Sequence, residues 1–284
     1  MEKHDGFHEM PIASMKSRLR RASCTLACIT GSMGSCRSYS RLSRKSRVSK
    51  QYALVPLTRS EPDADVSMME HRQKVDDILR AAWRGIDGYA GNHWNDWNDG
   101  GFKPTTYGEL TPSGARHLAR AMGIDHRDAR SGPFVFMDLG SGLGKLVVQA
   151  YLEWPSVRRS VGIEIAAERA KSASKAWGSL VLSGDAQQLR NELMGSRSQR
   201  NVNEDVTLVE GDMLAADVSE ATHIFLSSLC FGPQLMEQIT EKLSKEAVNL
   251  QCLATLRALP RSSVFRYTGS VFAEMTWTGV EGTS

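Results

Sequence analysis

Three glycines follow Asp138 at alternate positions in FMDLGSGLGK, the stretch 136–145, and a lysine ends the run. Because glycine lacks a Cβ atom, such a loop lets the backbone approach a bound cofactor closely. It is not a phosphate-binding P-loop, because Lys145 is followed by leucine where serine or threonine must hold magnesium. It also departs from the dinucleotide fingerprint, whose third glycine lies three residues after the second. Neither a nucleoside triphosphate nor a dinucleotide is therefore predicted.

Acidic residues stand at the ends of three successive predicted strands, namely Asp138, Glu164 and Asp212. A carboxylate at Asp138 would repel a pyrophosphate but attract an ammonium group, which S-adenosylmethionine carries together with a sulfonium. Glu164 is placed to accept hydrogen bonds from the ribose hydroxyls, and Asp212 to bond the adenine amino group. Each acid alone is also explained as a helix cap or a surface residue, and for Asp212 that explanation is as good as the ligand role. Together they favour an S-adenosylmethionine-dependent methyltransferase.

These acids need a scaffold, and from residue 134 onwards the sequence alternates between strand-like and helix-like segments. The predicted strands are FVFMDL, SVGIEI, VTLVEGD, ATHIFLSS and LQCLATLRAL, and the predicted helices span 145–154, 166–177 and 233–244. This alternation predicts an α/β fold with a doubly wound, mainly parallel sheet, Rossmann-like and of the class I methyltransferase type. In such a sheet ligands bind beyond the carboxyl ends of the strands, where all three acids lie.

Upstream of the sheet, apolar residues recur at helical spacing from Val75 to Trp83 and predict an amphipathic helix in an N-terminal extension. A loop rich in Gly, Asn, Asp and Trp follows. It is not a calcium loop, because Tyr107 stands where a bidentate glutamate is required. Thr111 and Pro112 then predict the start of a second helix. The predicted organisation is a tail over 1–65, a helix and loop over 66–104, and a catalytic domain over 105–284.

The tail is basic and rich in serine. Residues 10–60 contain eleven Lys or Arg and no acid, so the rest of the chain carries 24 basic against 32 acidic residues. Because large apolar side chains are few, the tail is predicted to be disordered. It could contact DNA, an acidic protein surface or an import receptor, serve as a transit peptide, or be a solvated tail without a partner. The early acids Glu2, Asp5 and Glu9 argue against a transit peptide.

Other features exclude several classes of protein. The five cysteines are an odd number and have no histidine at zinc-ligand spacing, so neither a metal site nor a disulfide framework is predicted. No apolar run approaches the roughly 18 residues that span a bilayer, and the start lacks the basic-then-apolar order of a secretory signal. We expect a soluble intracellular protein with no membrane partner.

The motifs taken together resemble one family. The segments YGELTPSGARHL, FMDLGSGLGKLVVQA, VGIE, LVEGDML and FLSSLCFGP occur in this order. Over residues 105–278 the chain looks like the catalytic domain of the disruptor-of-telomeric-silencing family, the non-SET histone lysine methyltransferases that modify the globular core of histone H3. The resemblance implies S-adenosylmethionine as the cofactor and histone H3 or the nucleosome as the partner. It also implies the nucleus as the compartment, with the cytoplasm or an organelle as the alternative.

The resemblance implies roles for individual residues. The loop that closes over the methionine end of the cofactor would comprise Tyr107, Gly108, Glu109, Leu110 and Thr111. The cofactor would be held by Asp138, Gly140, Gly142, Lys145, Glu164, Asp212 and Met213. Tyr107 and Phe231 could present ring faces to the cationic centre, with Phe231 as a wall of the lysine channel. Glu109 could polarise or deprotonate the incoming amine, or it could cap the helix that follows.

Three positions depart from the family pattern. Ser227 and Ser228 replace an asparagine pair on the substrate side, Lys145 replaces a glutamine, and Met213 replaces an aromatic residue that stacks on adenine. The implied chemistry is direct displacement, in which a neutral lysine amine attacks the methyl carbon in line with the departing sulfur. The alternatives are a non-histone protein, RNA or a small molecule as the acceptor, or an inactive scaffold that binds S-adenosylmethionine.

Overall fold

A seven-stranded sheet forms the centre of the structure, a computed structural model that describes residues 23–29, 66–88, 108–125, 132–195 and 201–276. The strands are β1 Ser23–Ile29, β2 Phe134–Leu139, β3 Val157–Glu164, β4 Val206–Glu210, β5 His223–Leu226, β6 Cys252–Thr255 and β7 Phe265–Phe272. They lie in the order β4-β3-β2-β5-β6-β1-β7. Strands β2 to β6 pair in parallel, whereas β1 runs antiparallel to both of its neighbours, β6 and β7.

Helices cover both faces of this sheet. They are α1 Val66–Ala82, α2 Pro112–Met122, α3 Lys145–Glu153, α4 Ala167–Leu182, α5 Asp185–Met194, α6 Val202–Asp205 and α7 Pro233–Glu246. Side chains of β2 alternate between the faces: Phe134 and Phe136 pack with α2 and α3, while Met137 and Leu139 pack with α7. The predicted doubly wound, Rossmann-like class I fold is confirmed.

Helix α2 begins and ends as its sequence predicts. The Thr111 side chain accepts a hydrogen bond from the Gly114 N–H at 3.0 Å, and Pro112 takes the first helical position. Gly123 closes the helix in the left-handed conformation, with φ of 76°. Gly114 has a different role, because a Cβ atom there would lie 2.1 Å from the Glu274 carbonyl oxygen. The start of α2 therefore packs directly on the backbone that follows β7.

A buried ion network joins α1, α2 and α3. The Arg116 guanidinium donates to both carboxylate oxygens of Glu153, at 2.7 and 2.8 Å, and to Asp76 at 2.6 Å. Arg72 of α1 adds a second cation 3.4 Å from Glu153, whose side chain is wholly buried. Burial lowers the pKa of Arg116, but the bonds to Glu153 and Asp76 outweigh it and raise that pKa above its ordinary value. The network fixes the helices that carry the two loops of the candidate site.

Two elements differ from the sequence-based predictions. The expectation of disorder up to residue 65 is wrong for residues 23–29, because the uncharged segment SCTLACI forms β1 between β6 and β7. The region 190–205 is interpreted from sequence as a helix end and surface excursion; residues 190–194 do end helix α5, but Val202–Asp205 form the short helix α6, whose Val202 is buried. The rest of the tail and the loop over 89–107 lie outside the described residues, so the domain boundaries stay predictions.

The described residues include neither a membrane-spanning helix nor a cluster of metal ligands. None of their helices combines the length and apolarity needed to cross a membrane. Nor does the described part of the chain bring together three or more His, Cys, Asp or Glu side chains that could hold a metal ion.

Candidate functional site

The glycine loop joins the carboxyl end of β2 to the start of α3. Its three glycines all have positive φ, and they are Gly140 at 91°, Gly142 at 56° and Gly144 at 75°. Side chains other than glycine rarely adopt this conformation, so the alternating glycines follow from the path of the backbone. The N–H groups of Gly140 and Ser141 donate to the Ile163 carbonyl at 2.8 and 3.0 Å, which holds the loop against β3.

Asp138 is buried beneath this loop, and one of its carboxylate oxygens has no hydrogen-bond partner among the described residues. The residue is 4 % exposed, and its Oδ1 atom bonds to none of the described residues. Burial, together with the nearby negative charges of Glu164 and Glu109, raises the pKa of Asp138 to about 8. Buried polar atoms are normally paired, so an unpaired carboxylate at a strand end marks a position for a donor from a ligand.

Glu164 supports the glycine loop from the end of β3. Its Oε2 atom accepts from the Gly142 N–H at 2.8 Å. Its Oε1 atom accepts from the Ala166 N–H at 2.9 Å and from the Arg169 guanidinium at 2.8 Å. Glu164 and Arg169 are both buried, so their charges offset each other inside the protein. After these bonds, Oε2 is the oxygen that retains room for a ligand hydroxyl.

Asp212 and Met213 follow β4 at the same edge of the sheet. Asp212 is exposed, and its Oδ1 atom accepts from the Leu214 N–H at 2.8 Å, which makes it the cap of a local turn. Met213 reaches the glycine loop: a Cβ atom at Gly140 would lie 3.7 Å from its Cε atom and 3.9 Å from the Cζ atom of Phe231. The Met213 and Phe231 side chains therefore both lie beside the glycine loop at Gly140.

The segment 108–111 is tied to two other parts of the structure. The Glu109 carboxylate forms an ion pair with Lys145, the first residue of α3, with 2.6 Å between Oε2 and Nζ. A cation at a helix N-terminus is unfavourable in the helix dipole, and Glu109 offsets that cost. Leu110 forms an isolated antiparallel bridge with Met275. Thr111, and not Glu109, supplies the side-chain cap of α2. Gly108 is half-buried at the start of this segment, and Tyr107 lies outside the described residues.

The segment 227–231 follows β5 and forms the other side of the site. Ser227 is half-buried, whereas Ser228 is wholly buried and its Oγ atom accepts from the Arg257 N–H at 3.0 Å. Phe231 is 7 % exposed, and its carbonyl accepts from the Arg257 guanidinium. Sequence reasoning missed Arg257. The signal available for it was its position just after β6, at the sheet edge where the other site residues lie.

The structure thus brings Asp138, the glycine loop, Glu109, Lys145, Glu164, Met213 and Phe231 to one edge of the sheet. A comparison with protein-family models matches residues 95–264, more than half of the chain, to the model described as "Histone methylation protein DOT1". The chain belongs to the DOT1 family. The family resemblance seen in the sequence is therefore confirmed. Because DOT1-family methyltransferases use S-adenosylmethionine, the predicted enzyme class and cofactor agree with this membership.

Other comparisons give more distant likenesses. The chain is 24% identical over 147 residues to the Drosophila melanogaster protein named "Histone-lysine N-methyltransferase, H3 lysine-79 specific", which covers 50% of this chain and 7% of that protein. A Salinibacter ruber RNA methyltransferase solved with S-adenosyl-L-homocysteine is 20% identical, covering 55% of this chain and 89% of that one, with a TM-score of 0.35. A Thiobacillus denitrificans methyltransferase solved with the same molecule is 14% identical, covering 58% and 49%, with a TM-score of 0.32.

Proposed function

We propose that this DOT1-family protein transfers a methyl group from S-adenosylmethionine to a lysine side chain of histone H3 in the nucleosome. The observation that carries the proposal is the buried, unpaired carboxylate of Asp138, placed between the glycine loop and two further acids. An ammonium group bonded there would satisfy Oδ1 and would stabilise the ionised carboxylate. The methionine end of S-adenosylmethionine carries such a group.

The residues at the sheet edge fit this donor. Asp138 would bind the ammonium, and the loop backbone would lie along the methionine end. Glu164 would accept a hydrogen bond from one ribose hydroxyl through Oε2, because its Oε1 atom already accepts hydrogen bonds from Ala166 and Arg169. Asp212, with one oxygen capping its turn, has the other for the adenine amino group. When bound, S-adenosylmethionine supplies an electrophilic methyl group on a sulfonium.

The protein's part in the transfer is to position an amine and to exclude water. Phe231 is nearly buried beside Gly140 and would wall the channel through which a lysine reaches the methyl group. We infer that Tyr107 presents a second ring face to the cationic centre, a contribution of about 0.5–2 kcal/mol in a dry site. Glu109 is held by Lys145, so we assign it to the charge balance of the donor site and not to proton abstraction. Ser227, half-buried after β5, would face the acceptor.

The choice of histone H3 is supported by family membership and by the printed name of the Drosophila relative, of which the chain spans 7% of the length. A screen with methyl-labelled S-adenosylmethionine tests it, using nucleosomes, free histones, RNA and cell lysate as parallel acceptors. Label in histone H3 from nucleosomes supports the proposal. Label in RNA or another protein identifies a methyltransferase with a different acceptor, and donor binding without any transfer identifies a scaffold.

We propose that the basic segment 10–60 contacts nucleosomal DNA or an acidic protein surface. We also propose that the protein acts in the nucleus. The eleven Lys or Arg residues of the segment would release counterions from phosphates, so nucleosome affinity would fall steeply with salt. Because β1 occupies residues 23–29 of this segment, deletion would remove a strand of the sheet. Replacement of the eleven residues by glutamine keeps the strand. We expect weaker and less salt-dependent nucleosome binding with unchanged donor affinity, and equal binding would show that the tail has no such role.

A further inference from the structure

We propose that Arg257 is a positioning residue that sets the geometry of the acceptor opening. The inference rests on the proposed function, because it takes Phe231 as a wall of the lysine channel. Arg257 lies two residues beyond the end of β6, and Phe231 lies in the segment that follows β5. Since β5 and β6 are parallel neighbours, these two segments leave the same edge of the sheet side by side.

Arg257 contacts both ends of one turn. The Phe231 N–H donates to the Ser228 carbonyl at 3.1 Å, which closes a turn over residues 228–231. At the start of this turn, the Ser228 Oγ atom accepts from the Arg257 N–H at 3.0 Å. At its end, the Phe231 carbonyl accepts from the Arg257 guanidinium. One residue therefore fixes the turn through its backbone and its side chain together.

The backbone of Arg257 is itself held in place. The hydroxyl of Thr255, which is wholly buried, donates to the Arg257 carbonyl, and the Leu256 N–H donates to the Leu226 carbonyl at 3.3 Å. These bonds fix the position from which the guanidinium reaches the turn. Arginine suits this role because its planar head presents several N–H donors at the end of a long side chain.

The position of Phe231 matters because its ring lies beside the glycine loop. A Cβ atom at Gly140 would be 3.9 Å from the Phe231 Cζ atom, which is ordinary van der Waals contact. Without Arg257, the carbonyl of this nearly buried residue loses its hydrogen bond and the turn is free to shift. A displacement of about 1 Å from a reactive geometry can cost roughly 100-fold in rate. We infer that Arg257 acts on the transfer step through Phe231 and does not touch the donor.

The test compares Arg257→Gln and Arg257→Lys with the wild-type protein on recombinant nucleosomes, with donor affinity measured by calorimetry. Arg158→Gln is the matched control, because Arg158 is exposed near the start of β3, at the opposite edge of the sheet. We expect kcat of Arg257→Gln to fall about 10- to 100-fold, with donor Kd and nucleosome KM within about threefold of wild type. Arg257→Lys, which keeps a donor for the Phe231 carbonyl, should recover part of kcat.

Several results would overturn the inference. If the Arg257→Gln protein folds and its kcat stays within about threefold of wild type, Arg257 has a structural role alone. If its donor affinity falls by the same factor as its kcat, Arg257 is part of the donor site. If Arg257→Gln unfolds at the assay temperature, Ser228→Ala takes its place, because it removes the acceptor of the Arg257 N–H. An unchanged kcat in the Ser228→Ala protein also contradicts the inference. A wild-type protein that binds donor but leaves nucleosomes unlabelled refutes the proposed function as well.

Discussion

Replacement of Asp138 by asparagine separates the charge of the carboxylate from its shape. The amide keeps the volume of the buried side chain but cannot offer a negative charge to an ammonium group. Hydrogen bonds to charged groups contribute about 1.5–3 kcal/mol, so we expect S-adenosylmethionine to bind the Asp138→Asn protein roughly 10- to 150-fold more weakly. Asp77→Asn is the matched control, because the Asp77 side chain is 55% exposed on α1. Calorimetric titration of the purified proteins measures both affinities.

The pKa of Asp138 gives this prediction a pH dependence. Because the pKa of Asp138 is raised to about 8, the carboxyl is largely protonated at pH 6, and binding of a cation must release that proton. Affinity of the wild-type protein should therefore rise by about tenfold from pH 6 to pH 7. The Asp138→Asn protein should show only the titration of the donor itself. Glu109→Gln should move the wild-type midpoint to lower pH, because the charge of Glu109 raises the pKa of Asp138.

The same shift fixes the sign of a stability change. The folded protein holds a proton on Asp138 that the unfolded chain loses above its ordinary pKa, so stability falls as the pH rises from about 4 to about 8. Asp138→Asn removes this loss. The melting temperature of the variant, relative to that of the wild type, should therefore increase as the pH rises from about 4 to about 8. If the variant binds the donor as tightly as the wild type, with the same pH profile, the assignment of Asp138 to the donor site is wrong.

The remaining predictions concern stability and are measured by urea unfolding. Gly114→Ala should destabilise the protein by about 1–3 kcal/mol, because the new Cβ would lie 2.1 Å from the Glu274 carbonyl oxygen. Gly178→Ala in α4 has nothing within 4 Å and should gain up to about 1 kcal/mol, so equal effects at the two glycines would contradict the packing described. Arg116→Met should cost about 3–5 kcal/mol, because the wholly buried Glu153 loses its main cation. A loss below about 1 kcal/mol would show that Arg72 alone compensates Glu153.

The sheet could be predicted from sequence because local patterns carry it. Strand β2 was predicted over its observed range, and α3 and α7 to within two residues at their ends. Buried parallel strands appear as short apolar runs, and helix starts appear as caps, so each is visible within a few residues. The position of Asp138 followed from the same logic, since the end of a strand is a local property.

Contacts between distant segments could not be predicted in this way. The pairing of Glu109 with Lys145 and the reach of Arg257 to Phe231 depend on how separate loops meet at the sheet edge. Strand β1 was missed because its seven residues lie within a basic, serine-rich segment whose average composition indicates disorder. A short uncharged run inside such a segment becomes a strand when two other strands supply hydrogen bonds on both sides.

The placement of β1 affects the order in which the chain folds as it leaves the ribosome. Thr25 pairs with Thr255, and Ser23 pairs with Phe272, so the first of the described strands to be synthesised finds its neighbours only when nearly all of the described sequence has emerged. Until then its backbone donors and acceptors lack their strand partners. Closure of so long a loop makes this the step we expect to be slowest in folding, because pairings distant in sequence form late.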